Sequence, residues 1–237
     1  MNVIITGASR GIGKAVAGVF AEAGDRLFLC ARNGVVLEQT VNILKTSHPS
    51  CEIQARAADL SVKQEVIEFG NWCLQYGVPD VLVNNAGQFI AGGIVDEPSG
   101  NLEKLMAVNL YSAYHLTRAL LPAMTGEKPS GEHHRHIFNI CSIASLQAYP
   151  NGGGYSITKY ALDGFSRNLR EELKSLHIKV TAVYPGAVMT DSWSGFDNSQ
   201  KRIMEAQDVA SMIYAASRLS PQAVVEDIVM RPLLGDL

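Results

Sequence analysis

Short apolar runs that fit strands alternate with longer apolar-periodic segments that fit helices along the whole chain, and this alternation constrains the fold most. Asn2–Thr6, Leu27–Ala31, Ile53–Ala57, Asp80–Val83, Arg135–Cys141, Val180–Tyr184 and Val224–Val229 read as strands. Ile12–Ala23, Gly34–Thr46, Ser61–Gln75, Leu102–Leu121, Tyr155–Leu176 and Ala206–Arg218 read as helices. Several strands are near-continuous apolar runs (Val-Ile-Ile, Leu-Phe-Leu-Cys, Val-Leu-Val), as strands buried on both faces are. The pattern predicts an α/β, doubly wound, seven-stranded parallel sheet with helices on both faces, a single domain over residues 1–237. Ser61 is expected to cap its helix and Pro122 to stop the preceding one.

Charge narrows the partners. Twenty basic and 23 acidic side chains leave no cationic excess to neutralise a phosphate backbone, so no nucleic acid is expected. No apolar run approaches the roughly 18 residues that span a bilayer, so no membrane partner is expected. With no secretory pattern at Met1–Gly7, the expectation is a cytoplasmic protein. Cys30, Cys51, Cys73 and Cys141 form no close pair and read as free thiols in a reducing compartment. His133, His134 and His136 lie beside Lys128, Pro129, Gly131 and Arg135. They read as solvated side chains of a polar loop, and no metal is expected. Thr125–His134 and Asp191–Lys201 read as surface loops.

The first strand opens into Thr6-Gly7-Ala8-Ser9-Arg10-Gly11-Ile12-Gly13 and then a helix. Glycines in such a turn permit a tight bend, close backbone approach to a pyrophosphate and close helix packing, while the helix N-terminus offers free N–H groups. The spacing, three residues and then one between glycines, differs from the Gly-x-Gly-x-x-Gly fingerprint; the flanking strand and helix supply the confirming context. The acid that would hold a ribose 2′-hydroxyl about 20 residues on is missing. Cys30-Ala31-Arg32-Asn33 stands there instead. Arg32, with Arg10 from the turn, would attract a 2′-phosphate, so the expected cofactor is NADP(H).

A second group lies in the C-terminal half. A strand ends at Ser142, Tyr155 follows, and Lys159 comes four residues later. Positions i and i+4 share a helix face, which sets an ammonium beside a phenol. That neighbour is expected to lower the phenol pKa and tune it for proton exchange. Ligands of open α/β sheets bind beyond the carboxyl ends of the strands, where all these pieces fall.

Taken together, the glycine turn, Asp59-Leu60, Asn84-Asn85-Ala86-Gly87, Asn109, Ser142, Tyr155 with Lys159, and Pro185-Gly186 followed by Thr190 make the chain resemble the short-chain dehydrogenase/reductase family in its compact, Rossmann-like form. The resemblance implies roles. Gly7, Ser9, Arg10, Gly11, Ile12, Gly13, Arg32, Asp59, Leu60, Asn85, Ala86 and Gly87 would bind the adenosine and phosphate side, Asp59 accepting from the adenine amino group. Pro185, Gly186, Val188 and Thr190 would meet the nicotinamide end. Ser142 would hold the substrate carbonyl oxygen, Tyr155 would donate the proton, and Lys159 would bind the ribose hydroxyls and lower the tyrosine pKa. Asn109 would anchor a water relaying protons to Lys159.

The implied activity is an NADP(H)-dependent carbonyl reductase acting on a small-molecule substrate. Trp193 and Phe196 of the 191–201 segment, with Gln147, are its substrate candidates; Tyr149 and Asn151 are possible neighbours. The ending Val224–Pro232 looks like that of sepiapterin-reductase-like and 3-oxoacyl-reductase-like members. Two alternatives share the fold: a non-catalytic NADP(H)-binding sensor, and a sugar-nucleotide epimerase or dehydratase. The family also implies a homodimer or homotetramer.

Overall fold

A computed structural model describes residues 1–126, 134–193 and 195–236. The first half alternates as expected: β1 (Asn2–Thr6), α1 (Gly11–Glu22), β2 (Arg26–Ala31), α2 (Gly34–Ser47), β3 (Ile53–Ala57), α3 (Lys63–Leu74) and β4 (Val81–Asn84). Then come α4 (Asn101–Met106), a π-helical turn at Ala107–Tyr111, and α5 (Ser112–Gly126). The remainder is β5 (Arg135–Ile140), α6 (Gly153–Leu173), β6 (Ile178–Pro185), β7 (Val188–Met189), β8 (Met204–Glu205), α7 (Ala206–Ser217) and β9 (Asp227–Met230).

Seven strands form one parallel sheet in the order β3-β2-β1-β4-β5-β6-β9. The order reverses between β1 and β4, which opens a crevice at their carboxyl ends. Alternation along β1 divides the core. Val3 and Ile5 join Val16, Phe20 and Ile213 on one face. Ile4 joins Phe69, Leu116, Leu120 and Leu169 on the other. Truncating a fully buried ring such as Phe20 or Phe69 would cost about 3–5 kcal/mol.

Four local expectations are corrected. Pro122 lies inside α5 and does not end it. Leu116, Leu120 and Met124 form a fully buried stripe across that point, and its packing outweighs one missing backbone hydrogen bond. Ser61 does not cap α3; its N–H and hydroxyl both donate to Asp59 Oδ1 (3.0 and 2.7 Å), and the helix begins at Lys63. His136 and Arg135 are not solvated loop residues. Both are buried in β5, where His136 Nε2 meets Thr181 Oγ1 at 2.7 Å and its ring stacks on Phe138. His133 lies outside the described residues. The 191–201 segment is partly ordered structure: Asp191–Trp193 is a 3-10 turn, and β7 pairs with β8 in a separate two-stranded sheet just beside it.

Among the described residues, no helix is long and apolar enough to cross a membrane, and no cluster of three or more His, Cys, Asp or Glu is arranged to hold a metal. All four cysteines are buried and unpaired.

Candidate active site

The glycine turn shapes one side of the crevice. Gly7 and Gly11 hold positive φ angles (64° and 53°). A Cβ on Gly13 would lie 2.4 Å from Gly7 O and 2.5 Å from Asn85 Nδ2, so α1 can start this close to β1 only with glycine there. The N-cap of α1 is Arg10, whose side chain makes no cap hydrogen bond, which leaves the first-turn N–H groups directed at the crevice. Ser9 is buried and its carbonyl accepts from Thr40 Oγ1; Ile12 packs toward the core.

The other wall is stitched to this turn. Thr6 Oγ1 accepts from the N–H groups of Asn85 and Ala86, both at 2.9 Å. Asn85 Nδ2 donates to Thr6 O at 2.8 Å and Gly7 O at 3.2 Å. Below, Asn84 Nδ2 donates to Asn139 Oδ1 (2.8 Å) and Thr117 Oγ1 (3.1 Å), and Asn139 Nδ2 donates to Ser166 Oγ (2.9 Å). This buried chain ties β4 and β5 to α5 and α6, the helix that carries Tyr155.

The adenosine-side candidates separate. Arg32 is exposed at the end of β2 and has no ion pair among the described residues. Asp59 sits nearby; its hydrogen bonds from Ser61 and the Arg32 charge hold its carboxyl below the ordinary range. Arg10 does not join Arg32: its Nη1 pairs with Asp191 Oδ2 at 2.5 Å. The side chains of Leu60 and Val188 are buried in the two core clusters. Thr190 packs its methyl against Gly11, and Gly186 N donates to Met230 O.

Ser142, Tyr155 and Lys159 converge. Ser142 lies beside the Tyr155 phenol and favours its ionised form. Lys159 Nζ lies 5.7 Å from the centre of the Tyr155 ring and donates to Ile140 O at 2.7 Å. Gly87 adjoins both neighbours: a Cβ there would be 3.4 Å from Asn109 Oδ1 and 3.6 Å from Lys159 Nζ. Burial dominates the titration of the pair. It pushes the Lys159 ammonium down to about 8, offset partly by Cys141. Burial also raises the Tyr155 pKa, while Ser142 opposes the rise. The expected lowering of the phenol by Lys159 is therefore corrected. Desolvation is the larger effect, and the ammonium is aimed at a carbonyl.

Asn109 lies in the π-helical turn and is fully buried. Its Oδ1 accepts from Gln88 N (2.7 Å), and its Nδ2 donates to Gln88 O (3.0 Å) and Thr158 Oγ1 (2.9 Å). Thr158 in turn donates to Tyr155 O. Both amide hydrogens are thus spent on holding the loop after β4 to the catalytic-face helix. Sequence reasoning missed Gln88 and Thr158, and also Phe89, whose ring stands edge-on to Tyr155 with centroids 5.0 Å apart. The side chains of Trp193 and Phe196 pack on each other (5.3 Å) and are half-buried; Gln147 is exposed.

The family model for short chain dehydrogenases matches residues 1–201. The chain belongs to the short chain dehydrogenase family. It is an oxidoreductase of that family. It is 31% identical to a sepiapterin reductase of Chlorobaculum tepidum over 244 residues, covering 99% of this chain and 97% of that one. An uncharacterized oxidoreductase of Staphylococcus aureus is 29% identical over 231 residues, 97% and 96% of the two chains. Among solved structures, an alcohol dehydrogenase from Thermococcus sibiricus complexed with 5-hydroxy-NADP superposes with a TM-score of 0.90 at 26% identity, covering 100% and 98% of the chains. A metagenomic short-chain oxidoreductase in complex with NADP gives 0.84 at 30% identity, covering 98% and 96%.

Proposed function

We propose that this short-chain dehydrogenase interconverts a carbonyl and an alcohol on a small organic substrate with NADP(H), and that Tyr155 exchanges the proton. The convergence of the Tyr155 phenol, the neighbouring Ser142 and the buried Lys159 ammonium carries the reading. The cofactor fits the residues present: the Gly13 cradle would be filled by any Cβ, the α1 N-terminus lacks a side-chain cap, and Arg32 is free to meet a 2′-phosphate. The NADP-bound solved relatives support the same choice.

When bound, NADPH supplies a hydride for the carbonyl carbon. Ser142 Oγ and the Tyr155 hydroxyl hold the carbonyl oxygen. Tyr155 gives that oxygen its proton as the alcohol forms, and solvent later restores the proton to the phenolate. Lys159, within 6 Å, stabilises the phenolate electrostatically. A raised phenol pKa keeps Tyr155 protonated at neutral pH, which favours reduction. Asn109 holds Gln88 and Thr158, and through them the geometry of Gly87 and Tyr155.

The exposed Tyr111, Ile157 and Tyr160 on the π turn and α6 support assembly as a homodimer or homotetramer. The four buried thiols support a reducing, cytoplasmic setting.

The test is NADPH consumption over a panel of pterins, 3-oxoacyl thioesters, diketones and steroids. The wild type should oxidise NADPH with at least one of them, and Tyr155→Phe should lose at least a thousandfold in kcat while still binding NADPH. A phenylalanine variant with near-wild-type turnover overturns the proton role. A sensor would consume no NADPH, and an epimerase would show no net change.

A further inference from the structure

The loops that leave β5 and β9 meet at one guanidinium, and the loop after β6 lies against its carboxylate partner Asp236. β9 runs parallel to β6 with Met230 opposite Pro185, so Arg231 leaves the sheet at the end where Ser142 and Gly186 lie. Arg231 is ion-paired with Asp236, and its Nη2 reaches Gln147 Oε1 at 3.5 Å. Gln147 stands five residues beyond Ser142. Asp236 Oδ1 would be 3.2 Å from a Cβ on Gly186. Arg202 fastens this segment by donating to Gly235 O (2.9 Å) and Asp236 O (3.0 Å).

We propose that Arg231 determines substrate specificity by binding a carboxylate carried by the carbonyl compound. The catalytic meaning of this assignment rests on the reductase reading above. Asp236 already presents a carboxylate to the guanidinium. The two side chains are 35% and 29% exposed, so a ligand can reach the pair and exchange with Asp236. The planar guanidinium fork matches two carboxylate oxygens. Gln147 accepts from Arg231 through Oε1, which leaves its amide hydrogens for the same ligand. Arg202, the other arginine of this segment, is committed to two backbone carbonyls. Phe89, edge-on to Tyr155 and 42% exposed, gives a planar or apolar body a wall to rest on.

Calorimetric titration of benzoate and of benzamide into NADP⁺-saturated protein tests the assignment. The wild type should bind benzoate at least tenfold more tightly than benzamide. Arg231→Met should bring the two affinities within twofold. Asp236→Asn removes the internal competitor and should tighten benzoate severalfold without tightening benzamide. Equal affinities in the wild type, a preference that survives Arg231→Met, or no gain for benzoate in the folded Asp236→Asn protein each overturns the proposal. No turnover is needed for this readout. A protein that binds benzoate through Arg231 yet reduces no carbonyl sinks the reductase reading and leaves the carboxylate site standing.

Discussion

Arg10 and Asp191 join the two banks of the cofactor crevice. The guanidinium of Arg10, at the N-cap of α1, lies 2.5 Å from the carboxylate that opens the 191–193 turn. Beside them the Thr190 methyl rests against Gly11. The glycine turn and the 190–193 segment therefore touch directly. The same contact pairs the Arg10 guanidinium, whereas Arg32 makes no ion pair among the described residues.

The two arginines should separate in kinetics. Arg32→Ala should raise the KM for NADPH about 10–100-fold, the worth of a charged hydrogen bond to phosphate, and leave the KM for NADH nearly unchanged. Arg10→Ala should leave the NADPH-to-NADH preference within about threefold. It should speed cofactor release by about two- to fivefold, as expected for an exposed ion pair. Steady-state kinetics with both cofactors and stopped-flow release of NADPH check both. Equal loss of NADPH preference in the two variants would return Arg10 to the phosphate.

Two glycines of α1 should respond oppositely to alanine. At Gly13 the added methyl meets Gly7 O and Asn85 Nδ2 well inside contact distance, so Gly13→Ala should cost about 1–3 kcal/mol and weaken NADPH binding at least tenfold. At Gly18 nothing lies within 4 Å, and Gly18→Ala should gain roughly 0.5–1 kcal/mol from helix propensity alone. Urea unfolding and NADPH titration of the two variants give the comparison.

The sheet was legible because strands such as Val3-Ile4-Ile5 and Val81-Leu82-Val83 are buried on both faces and must be apolar throughout. The nearness of Tyr155 and Lys159 was legible because helical spacing is local. What resisted reading depends on distant partners or on backbone register. The π turn that carries Asn109 has no compositional mark, and its partners Gln88 and Thr158 lie 21 and 49 residues away in sequence. Two-residue strands such as β7 and β8 are too short to show a period. Lys159 looks like a phenol activator on spacing alone; only the fold shows that its ammonium ends on Ile140 O and is stripped of water.

That burial has a measurable consequence. Lys159 gives up its proton near pH 8 in the folded protein and near 10.5 in the unfolded chain. Between those values the unfolded state binds more protons, so the wild type gains stability as pH rises. Relative to Lys159→Met, it should gain about 2 kcal/mol between pH 8 and pH 9.5 without cofactor. The reduction rate should fall over the same window as the phenolate loses its cationic neighbour. Thermal unfolding of both proteins across pH 7–10, set beside the pH profile of kcat, tests the two signs. A stability difference that is flat with pH would remove the buried ammonium from the account.

His136 sets the acid limb. Burial in β5, with Lys179 nearby, pushes its imidazole down to about 3 from an ordinary 6.5. The folded protein keeps it neutral while the unfolded chain takes up a proton below 6.5, so stability is lost as pH falls through that range. At pH 5 this one side chain should account for about 2 kcal/mol of lost stability relative to pH 7. His136→Gln keeps a polar group beside Thr181 and cannot titrate. Its urea midpoint should therefore fall less between pH 7 and pH 5 than that of the wild type. Parallel declines in the two proteins would show that the imidazole is protonated in the fold, and the acid sensitivity would then belong to the carboxylates.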